Sequence, residues 1–196
     1  MDVLDLFSGL EGWTKPFRER GHRVVTLDLD PKFGADHVRD ILTVANLSEL
    51  HPERGHFDVV LASPPCEAFT VMQVGRNWLP TVLGFEPKNE KAARLLEVAV
   101  HTFDLIDRHL PRYYVIENPK AMLGKLAPRM TTVETWYCQW GSRAAKPTHL
   151  WTNIDGRWPK CRNGASDHDA QSRYYWKRKA LGQTGGIQGM NGEGTK

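Results

Sequence analysis

The stretch that decides the fold of this chain is DLFSGLEG, residues 5–12. It completes an apolar run that starts at Met1, and such a run predicts a buried β-strand that enters a turn at Ser8-Gly9. A glycine turn between a strand and a helix allows backbone N–H groups to approach a ligand closely. Taken alone, a ligand-binding turn and a simple tight turn explain this stretch about equally well.

Outward from this turn, apolar strands alternate with helices along the chain. Continuous apolar runs separated by helical segments are typical of an α/β fold with a mostly parallel sheet and helices on both faces. In such sheets, ligands bind at the carboxyl ends of the strands, so we expect the site at that edge. The predicted strands are residues 1–7, 22–29, 57–63, 113–117, 132–139 and 149–153, and the predicted helices are residues 11–20, 44–50 and 88–110.

The composition limits the class of protein. The chain has 196 residues, of which 40% are hydrophobic and 25% charged, so we expect one ordinary domain with a small appendage. No apolar run approaches the roughly 20 residues of a membrane helix, and the N-terminus lacks the basic region of a signal peptide. The cysteines Cys66, Cys138 and Cys161 form neither a disulfide framework nor a zinc pattern. We therefore expect no metal, no membrane association and a reducing, cytoplasmic location.

The net charge of +3 is unevenly distributed along the chain. Residues 1–154 carry 18 basic and 19 acidic side chains, whereas residues 155–196 carry 8 basic and 4 acidic ones. The second segment is also rich in glycine and poor in large apolar residues, so it cannot bury much of a core of its own. We predict a folded domain over residues 1–154 and a basic, loop-rich extension over residues 155–196.

Three further strand ends carry polar or reactive side chains. Asp28 ends the second strand, where a carboxylate can accept both hydroxyls of a ribose. Cys66 follows the third strand and can be a nucleophile there, although most free cysteines are inert core residues and the adjacent Glu67 disfavours a thiolate. Glu117 ends the strand YYVIE, where a carboxylate suits acid–base chemistry or a structural salt bridge.

In this order and spacing, the motifs resemble those of the DNA (cytosine-5)-methyltransferases. DLFSGLEG is similar to the family's first cofactor motif, D-L-F-x-G-x-G-G, and Pro64-Pro65-Cys66 resembles its Pro-Cys nucleophile motif. Glu117-Asn118 is similar to the family's Glu-Asn-Val motif. The resemblance implies a Rossmann-like methyltransferase sheet and S-adenosylmethionine as the cofactor. The cofactor-binding residues that it implies are Phe7, Ser8, Gly9, Leu10, Gly12, Asp28, Leu29, Asp40, Ile41 and Pro64.

The resemblance also implies a covalent mechanism on DNA. The thiolate of Cys66 adds to cytosine C6 and makes C5 nucleophilic, while Glu117 holds the ring at N3 and the exocyclic amine. The base must leave the DNA stack, and residues 68–87, with Arg76, Asn77 and Trp78, are expected to close over it. In the extension, RYYWKRK interleaves cations with aromatics that suit phosphates and unpaired bases. The implied substrate contacts are Pro65, Asn118, Lys146, His149, Arg76, Arg173, Lys177, Arg178 and Lys179.

Several features depart from the family's pattern. Glu67 replaces the usual glutamine, and the family's Arg-x-Arg pair has no clear counterpart, because Lys146 and His149 lie nearest to its position. No target-recognition domain is visible after Asn153. Two alternatives therefore stay open: a weakly active or inactive DNA-binding relative, and methylation of cytosine in RNA or in a free nucleotide. An NAD-dependent dehydrogenase is disfavoured because the motif G-x-G-x-x-G is absent.

The segment YCQWGSRAAKPTHLWTN, residues 137–153, further resembles small members of the family that phages encode. This resemblance implies DNA methylation in the cytoplasm of a bacterium or of a phage-infected host, in the context of restriction–modification. Restriction protection, evasion and regulation stay open as its role. A monomer that binds DNA is the expected state of the protein.

Overall fold

A computed structural model of the chain describes residues 1–51, 53–82, 84–127, 130–142 and 146–161. The chain divides into two compact units, the first formed by residues 1–133 and 149–157 and the second by residues 134–148 and 158–196. The predicted boundary after residue 154 stays a prediction. The predicted DNA contacts of the extension lie outside the described residues; they are Arg173, Lys177, Arg178 and Lys179.

Within the described ranges, nine strands are present: β1 (Asp2–Leu6), β2 (Arg23–Asp28), β3 (His37–Val38), β4 (Val59–Ala62), β5 (Trp78–Thr81), β6 (Gly84–Pro87), β7 (Tyr113–Pro119), β8 (Thr132–Trp136) and β9 (Pro147–Thr152). Seven of them form one sheet in the order β3-β2-β1-β4-β7-β9-β8, and β5 pairs with β6 in an antiparallel hairpin. The pairs β1–β2, β1–β4, β2–β3 and β4–β7 are parallel. This confirms the predicted α/β fold with a mostly parallel sheet.

The centre of the sheet is covered on both faces. All five residues of β1 and all four of β4 are buried, and successive side chains of a strand point to opposite faces. Each fully buried Leu, Ile, Val or Phe side chain contributes about 1.5–3 kcal/mol relative to an exposed one. The fully buried side chains around the sheet include Leu4, Leu6, Leu27, Phe57, Val60, Leu105, Ile106, Ile116 and Trp151.

The strand β9 runs against the direction of β7. The Thr152 hydroxyl donates to the Tyr114 carbonyl at 2.6 Å, and the Tyr114 N–H donates to Asn153 Oδ1 at 3.0 Å. These bonds join the end of β9 to the start of β7, so the two neighbouring strands are antiparallel. The predicted strand over residues 149–153 therefore exists and lies next to the strand that carries Glu117.

The same ranges contain four α-helices: α1 (Lys15–Glu19), α2 (Val74–Asn77), α3 (Glu90–His109) and α4 (Leu123–Leu126). The helix α3 confirms the prediction over residues 88–110. Asn89 caps it by accepting the Ala92 N–H, and it ends at Leu110, which takes a left-handed conformation. None of the helices described is both long enough and apolar enough to cross a membrane.

Two predicted helices differ from the structure. The helix predicted over residues 11–20 covers only Lys15–Glu19, because Glu11 takes a positive φ of 57° and the helix starts after Thr14. The segment predicted as helix over residues 44–50 is a 3-10 turn at Leu47–Leu50 with a capping box between Asn46 and Glu49. In both cases, local side-chain and turn geometry limits the helix to about one turn.

Residues 68–87 contain regular structure that the sequence did not predict. After a 3-10 turn at Val71–Gln73, α2 leads directly into the β5–β6 hairpin. The segment is anchored by Trp78, which is 1% exposed, stacks on Phe69, and donates from Nε1 to the Ala68 carbonyl at 2.7 Å. A buried tryptophan with a satisfied N–H therefore ties this segment to the main hydrophobic core.

Candidate active site

Four strand ends meet at the carboxyl edge of the sheet. β1 lies between β2 and β4, β4 lies beside β7, and all four strands run in the same direction. Leu6 pairs with Leu27 on one side and with Ala62 on the other, and Ala62 pairs with Ile116. The segments that follow these residues therefore emerge side by side. They flank the point where the strand order reverses, which is where ligands bind in folds of this kind.

The glycine turn after β1 has an unusual backbone conformation. Phe7, Gly9 and Glu11 have positive φ angles of 67°, 50° and 57°. Glycine adopts such angles readily, but for Phe7 and Glu11 they cost on the order of 1–3 kcal/mol each. The N–H groups of Phe7 and Ser8 both donate to the Leu27 carbonyl, so β2 holds the turn in place. Backbone strain that the surroundings enforce in this way is typical of binding sites.

Asp28, the predicted ribose-binding residue, ties this turn to β2. Its Oδ2 accepts the Gly9 N–H at 2.9 Å, and its Oδ1 accepts the Asp30 N–H at 2.9 Å. The half-buried carboxylate thus orients the turn directly. Each carboxylate oxygen has two lone-pair sites, so both retain the capacity to accept further hydrogen bonds. A contact with ribose is compatible with this geometry and stays a prediction.

Two polar atoms beside the turn are buried without a hydrogen-bond partner among the described residues. They are Oδ2 of Asp5, a residue that is 2% exposed, and Oγ of Ser8, which is 8% exposed. Burial, reinforced by repulsion from Glu11 and Asp28, raises the pKa of Asp5 to about 7. A buried polar group without a partner costs about 1–3 kcal/mol, so the pair fits a ligand that supplies the missing hydrogen bonds.

Asp5 was not among the predicted site residues. The signal in the sequence is a carboxylate flanked on both sides by leucines within a strand, at the start of the DLFSGLEG stretch. Because charged residues are almost never fully buried without a partner, such a residue indicates a functional position. Besides burial, the charges of Glu11 and Asp28 raise the pKa of Asp5. These two residues become its neighbours only in the folded chain.

Apolar side chains lie exposed around the turn. Leu10 is 76% exposed, Leu29 is 66% exposed and Trp13 is 36% exposed. No heavy atom lies within 4 Å of the position that a Cβ at Gly12 would occupy, so the rim of the turn is open. Leu10, Gly12 and Leu29 are predicted cofactor contacts, and exposed apolar groups of this kind can cover an aromatic ring that binds beside them.

The predicted adenine-contacting segment follows β3. Asp40 caps the 3-10 turn at Ile41–Thr43 by accepting the Leu42 N–H, and its Oδ2 pairs with Arg94 of α3 at 2.5 Å. The Ile41 side chain is 3% exposed and belongs to the core. The Asp40 carboxylate is therefore held from two directions, and its contact with a cofactor stays a prediction.

The segment after β4 carries the predicted nucleophile. Cys66 is half-buried, belongs to no disulfide, and accepts the Phe69 N–H at its carbonyl at 2.9 Å, which closes a tight turn. The Glu67 side chain is exposed and forms an ion pair with Lys91 near the start of α3. The carboxylate next to Cys66 in sequence is therefore paired with a cation.

Asn118 joins the ends of β4 and β7. It is fully buried and donates from Nδ2 to the Pro64 carbonyl at 2.9 Å, while its Oδ1 has no hydrogen-bond partner in the part of the chain that is described. The adjacent Glu117 is 7% exposed. Because Ala62 pairs with Ile116, the continued register sets Glu117 beside Ser63. Asn118 thus fixes the strand end that carries Glu117 relative to the segment that carries Cys66.

The insertion between Cys66 and α3 corrects one expectation. Trp78 does not face a substrate base, because its ring is packed in the core against Phe69. Arg76 is exposed on α2, and the half-buried Asn77 accepts a hydrogen bond at Oδ1 from the side chain of Asn89, the N-cap residue of α3, at 3.0 Å. Of the three residues expected to close over a base, Arg76 is the one that faces solvent.

The two residues that replace the family's arginine pair have different surroundings. His149 belongs to the first unit, and its ring lies close to Gly124, where an added Cβ would be 2.6 Å from Nδ1. The same ring meets Trp151 edge-on, with 5.9 Å between the centroids. Lys146 belongs to the second unit, where its ammonium group lies 4.5 Å from the centroid of the Tyr137 ring.

The described part of the second unit is rich in anchored aromatic side chains. Trp140 donates from Nε1 to the Thr135 hydroxyl at 2.7 Å and lies 6.4 Å from the Trp158 ring, yet it is 59% exposed. The Pro159 carbonyl accepts from both Thr135 and the backbone of Trp136. The Trp140 ring is therefore held by a hydrogen bond while much of its surface is exposed.

No group of three or more His, Cys, Asp or Glu side chains in the described ranges is arranged to hold a metal ion. Cys138 is buried and Cys161 is half-buried, and neither is part of a disulfide.

Comparison with known proteins identifies a viral relative. The chain is 33% identical to a protein of Frog virus 3 (isolate Goorha) named probable DNA (cytosine-5)-methyltransferase, over 82% of this chain and 74% of that protein. No protein-family model matches the chain.

Two solved structures share the fold. A prophage-encoded E. coli protein assigned as a DNA modification methyltransferase superposes with a TM-score of 0.54 at 13% identity, over 78% of this chain and 46% of that one. The Entamoeba histolytica methyltransferase EhMeth gives a TM-score of 0.51 at 12% identity, over 83% of this chain and 57% of that one. The chain thus spans about half the length of these structures, and at such low identity they show a shared fold.

The fold is therefore that of the S-adenosylmethionine-dependent methyltransferases, in which a doubly wound sheet presents its carboxyl edge to the cofactor. Within this class, the family is shown by the 33% sequence identity with the viral protein, which extends over most of both sequences. The chain belongs to the DNA (cytosine-5)-methyltransferase family. This confirms the resemblance found in the order and spacing of the sequence motifs.

Proposed function

We propose that this protein transfers a methyl group from S-adenosylmethionine to C5 of a cytosine in DNA. The observation that carries the proposal is the clamp between Asn118 and Pro64, which joins the strand end bearing Glu117 to the segment bearing Cys66. Both lie on the same sheet edge as the strained glycine turn. A nucleophile, a carboxylate and a binding turn at one edge are what this reaction requires.

The residues beside the glycine turn fit the proposed cofactor. Asp5 and Ser8 offer unpartnered polar atoms, Asp28 keeps lone pairs for hydroxyl groups, and Leu10 and Leu29 offer apolar surface for a ring. The cofactor, when bound, supplies a methyl group on a sulfonium, which is electrophilic. The turn itself contributes a fixed shape, because its strained conformation is held by Leu27 and Asp28.

Cys66 and Glu117 act on the cytosine ring. The Cys66 thiolate forms a bond to C6, which moves electron density to C5, where the methyl group is accepted. Glu117 lies in a buried position, where a hydrogen bond to the ring is stronger than in water and resists misalignment. Removal of the C5 proton by a base then lets the C6–S bond break, and the thiolate is regenerated.

Contact with DNA is assigned mainly to the second unit. Over its full sequence that unit carries nine basic and four acidic side chains, whereas the first unit carries 17 basic and 19 acidic ones. A positive segment is attracted to phosphates, and the exposed Trp140 ring offers a stacking surface for a base. The predicted contacts Arg173, Lys177, Arg178 and Lys179 belong to the same unit. Relatives encoded by a virus and a prophage are consistent with a viral role in DNA modification.

A second candidate function is DNA binding without turnover. The observation that favours it is the replacement of the family's arginine pair, since Lys146 engages Tyr137 and the His149 ring is packed against Gly124. Neither side chain reproduces the forked donor geometry of arginine. Methylation of RNA or of a free nucleotide is the remaining alternative.

Transfer of a labelled methyl group from S-adenosylmethionine to duplex DNA, RNA and cytidine nucleotide separates these possibilities. We expect label in duplex DNA with the parent, loss of at least about a hundredfold with Cys66→Ser, and parent-like rates with Cys161→Ser as the matched control. Label that appears mainly in RNA or nucleotide contradicts the assignment of DNA. DNA retention with no label in any acceptor supports the inactive relative instead.

A further inference from the structure

Trp140 has the most exposed ring of all the tryptophans that the structure describes. It is 59% exposed, whereas Trp78 is 1% exposed and Trp151 is fully buried. The ring lies at the end of the 3-10 turn Tyr137–Trp140, which Gly141 closes with a positive φ of 88°. A large aromatic side chain that a closed turn holds in solvent indicates a contact surface for a partner.

The polar edge of this ring is already used inside the protein. Trp140 donates from Nε1 to the Thr135 hydroxyl at 2.7 Å, and that hydroxyl donates in turn to the Pro159 carbonyl at 3.0 Å. Thr135 is only 3% exposed, so this chain of hydrogen bonds starts from a buried group. Because an indole has one N–H donor and no acceptor, Trp140 has no hydrogen bond left to offer a ligand. Its remaining means of recognition is the π surface, which suits a second flat ring.

The neighbours of Trp140 hold the ring in a fixed orientation. The Trp158 ring lies beside it, with 6.4 Å between the centroids and 55° between the planes. The Trp136 N–H donates to the same Pro159 carbonyl that accepts from Thr135, so the two segments are joined twice. A side chain that is fixed before binding loses little conformational entropy when a ligand stacks on it. The Trp140 ring is therefore preorganised as well as exposed.

The composition of the second unit indicates an anionic partner. That unit carries nine basic and four acidic side chains, together with four of the seven tryptophans of the chain. In the turn that displays Trp140, the Lys146 ammonium group lies 4.5 Å from the centroid of the Tyr137 ring. Surfaces that combine cations with aromatic rings bind nucleic-acid strands, because phosphates contact the cations and bases stack on the rings. A nucleobase is thus the flat ring that fits this surface.

We propose that Trp140 is a stacking site for an unpaired base, and that the protein binds DNA with unpaired bases more tightly than continuous duplex. The inference rests on the proposed function, which supplies DNA as the partner. Inside a duplex, neighbouring pairs cover both faces of each base, so a protein ring reaches a face only where a base has left the stack. Single strands and mismatched segments offer such faces. Duplex DNA stays an acceptor, since phosphate contacts do not depend on stacking.

Fluorescence anisotropy with three labelled DNA probes of equal length tests the site. The probes are a matched duplex, the same duplex with a central unpaired segment, and a single strand of abasic sites, which keeps the phosphates but has no rings. We expect the parent to bind the probe with the unpaired segment most tightly. Trp140→Ala should weaken that probe about 5- to 150-fold and the other two less than about twofold. Trp140→Phe should retain most of the preference, and Val100→Ala, an exposed apolar residue of α3, should match the parent.

The salt dependence separates stacking from charge. The slope of log K against log salt concentration should be equal for the parent and Trp140→Ala, because the substitution removes no phosphate contact. If Trp140→Ala does not fold, the parent's preference and the quenching of tryptophan fluorescence by the unpaired segment, lost in Trp140→Phe, decide the question. A parent that binds matched and unpaired probes equally, or a Trp140→Ala variant that weakens all three probes equally, overturns the stacking site alone. A parent that binds no DNA probe refutes the proposed function as well.

Discussion

At the scale of single residues, Asp5 links the stability of the protein to pH. Its pKa rises from 3.8 to about 7, first through burial and then through repulsion from Glu11 and Asp28. The native state therefore binds more protons than the unfolded chain between about pH 4 and about pH 7. The contribution of Asp5 to stability is fully present below the unfolded pKa and is lost as the pH rises through the folded pKa.

Replacing Asp5 with asparagine is expected to remove this pH dependence in the cofactor-free protein. Between about pH 5 and about pH 8, the free energy of unfolding of the parent should fall by about 2–3 kcal/mol relative to that of Asp5→Asn. Urea denaturation at several pH values measures the difference. Glu19→Gln should follow the parent, and parallel curves for the parent and Asp5→Asn contradict the raised pKa.

Single residues also show where prediction from the sequence succeeds. Cys66 and Glu117 could be selected because their types and their positions at strand ends already indicate chemistry. The role of Asp5 depends on Glu11, Asp28 and the lack of a partner for Oδ2, which are properties of the folded chain. The ion pair of Glu67 with Lys91 likewise joins residues that are distant in sequence.

At the scale of elements, the insertion over residues 68–87 depends on one side chain. Trp78 stands at the start of β5, stacks on Phe69 and bonds to the Ala68 carbonyl, so it connects the hairpin to the turn that follows Cys66. The hairpin is thereby positioned next to the predicted nucleophile by packing that the local sequence pattern does not reveal.

Trp78→Ala is expected to destabilise the protein by about 3–5 kcal/mol, because it leaves a large cavity and removes the hydrogen bond from Nε1 to the Ala68 carbonyl. The adjacent Leu79 is 49% exposed in the same strand, so Leu79→Ala is the matched control and should stay within about 0.5 kcal/mol of the parent. Thermal or urea unfolding compares the two. Similar unfolding free energies for both variants contradict the anchoring role of Trp78.

A second element-scale feature is the hydrogen bond from the Asn118 side chain to the Pro64 carbonyl, which joins the carboxyl ends of β7 and β4. At the amino end of β7, the Asn153 side chain accepts the Tyr114 N–H and donates to the Arg112 carbonyl. Two asparagines thus hold the same strand from opposite ends. Only the first of these bonds lies beside the predicted catalytic residues.

Asn118→Ala is expected to lower kcat about 10- to 100-fold, with the dissociation constant of S-adenosylmethionine nearly unchanged, because a displacement of about 1 Å at the reacting groups costs about that much. Asn153→Ala is the control, since it should lower stability while retaining the parent's kcat per folded molecule. Methylation rates and calorimetric binding measure both quantities. If Asn118→Ala keeps the parent's kcat, the clamp has no role in positioning.

The sequence predicted the long strands and the long helix correctly but not the short elements. Long, continuous apolar runs identified β1, β2, β4 and β7, and helical spacing identified α3, because burial imposes these patterns. The short elements were missed or overextended, since a positive φ at Glu11 and the capping box at Asn46 act within a few residues. The β5–β6 hairpin was missed because tertiary packing of Trp78 maintains it.

At the scale of the whole molecule, charge and chemistry are divided between the two units. The first unit contains the predicted catalytic and cofactor-binding residues and carries more acidic than basic side chains. The second unit holds the excess of positive charge together with the exposed Trp140. The sequence predicted a basic segment for DNA from residue 155 onward. In the folded chain, residues 134–148 belong to the second unit, whereas residues 155–157 belong to the first.

The central claim is that Cys66 attacks cytosine at the carboxyl edge of the sheet. It is tested most directly by incubating the protein with S-adenosylmethionine and duplex DNA that contains 5-fluorocytosine, whose C5 fluorine blocks the final elimination. We predict a covalent complex in which peptide mass spectrometry finds the DNA attached at Cys66, and no complex with Cys66→Ser. Attachment at another residue, or methylation of ordinary DNA without any trapped complex, contradicts the account.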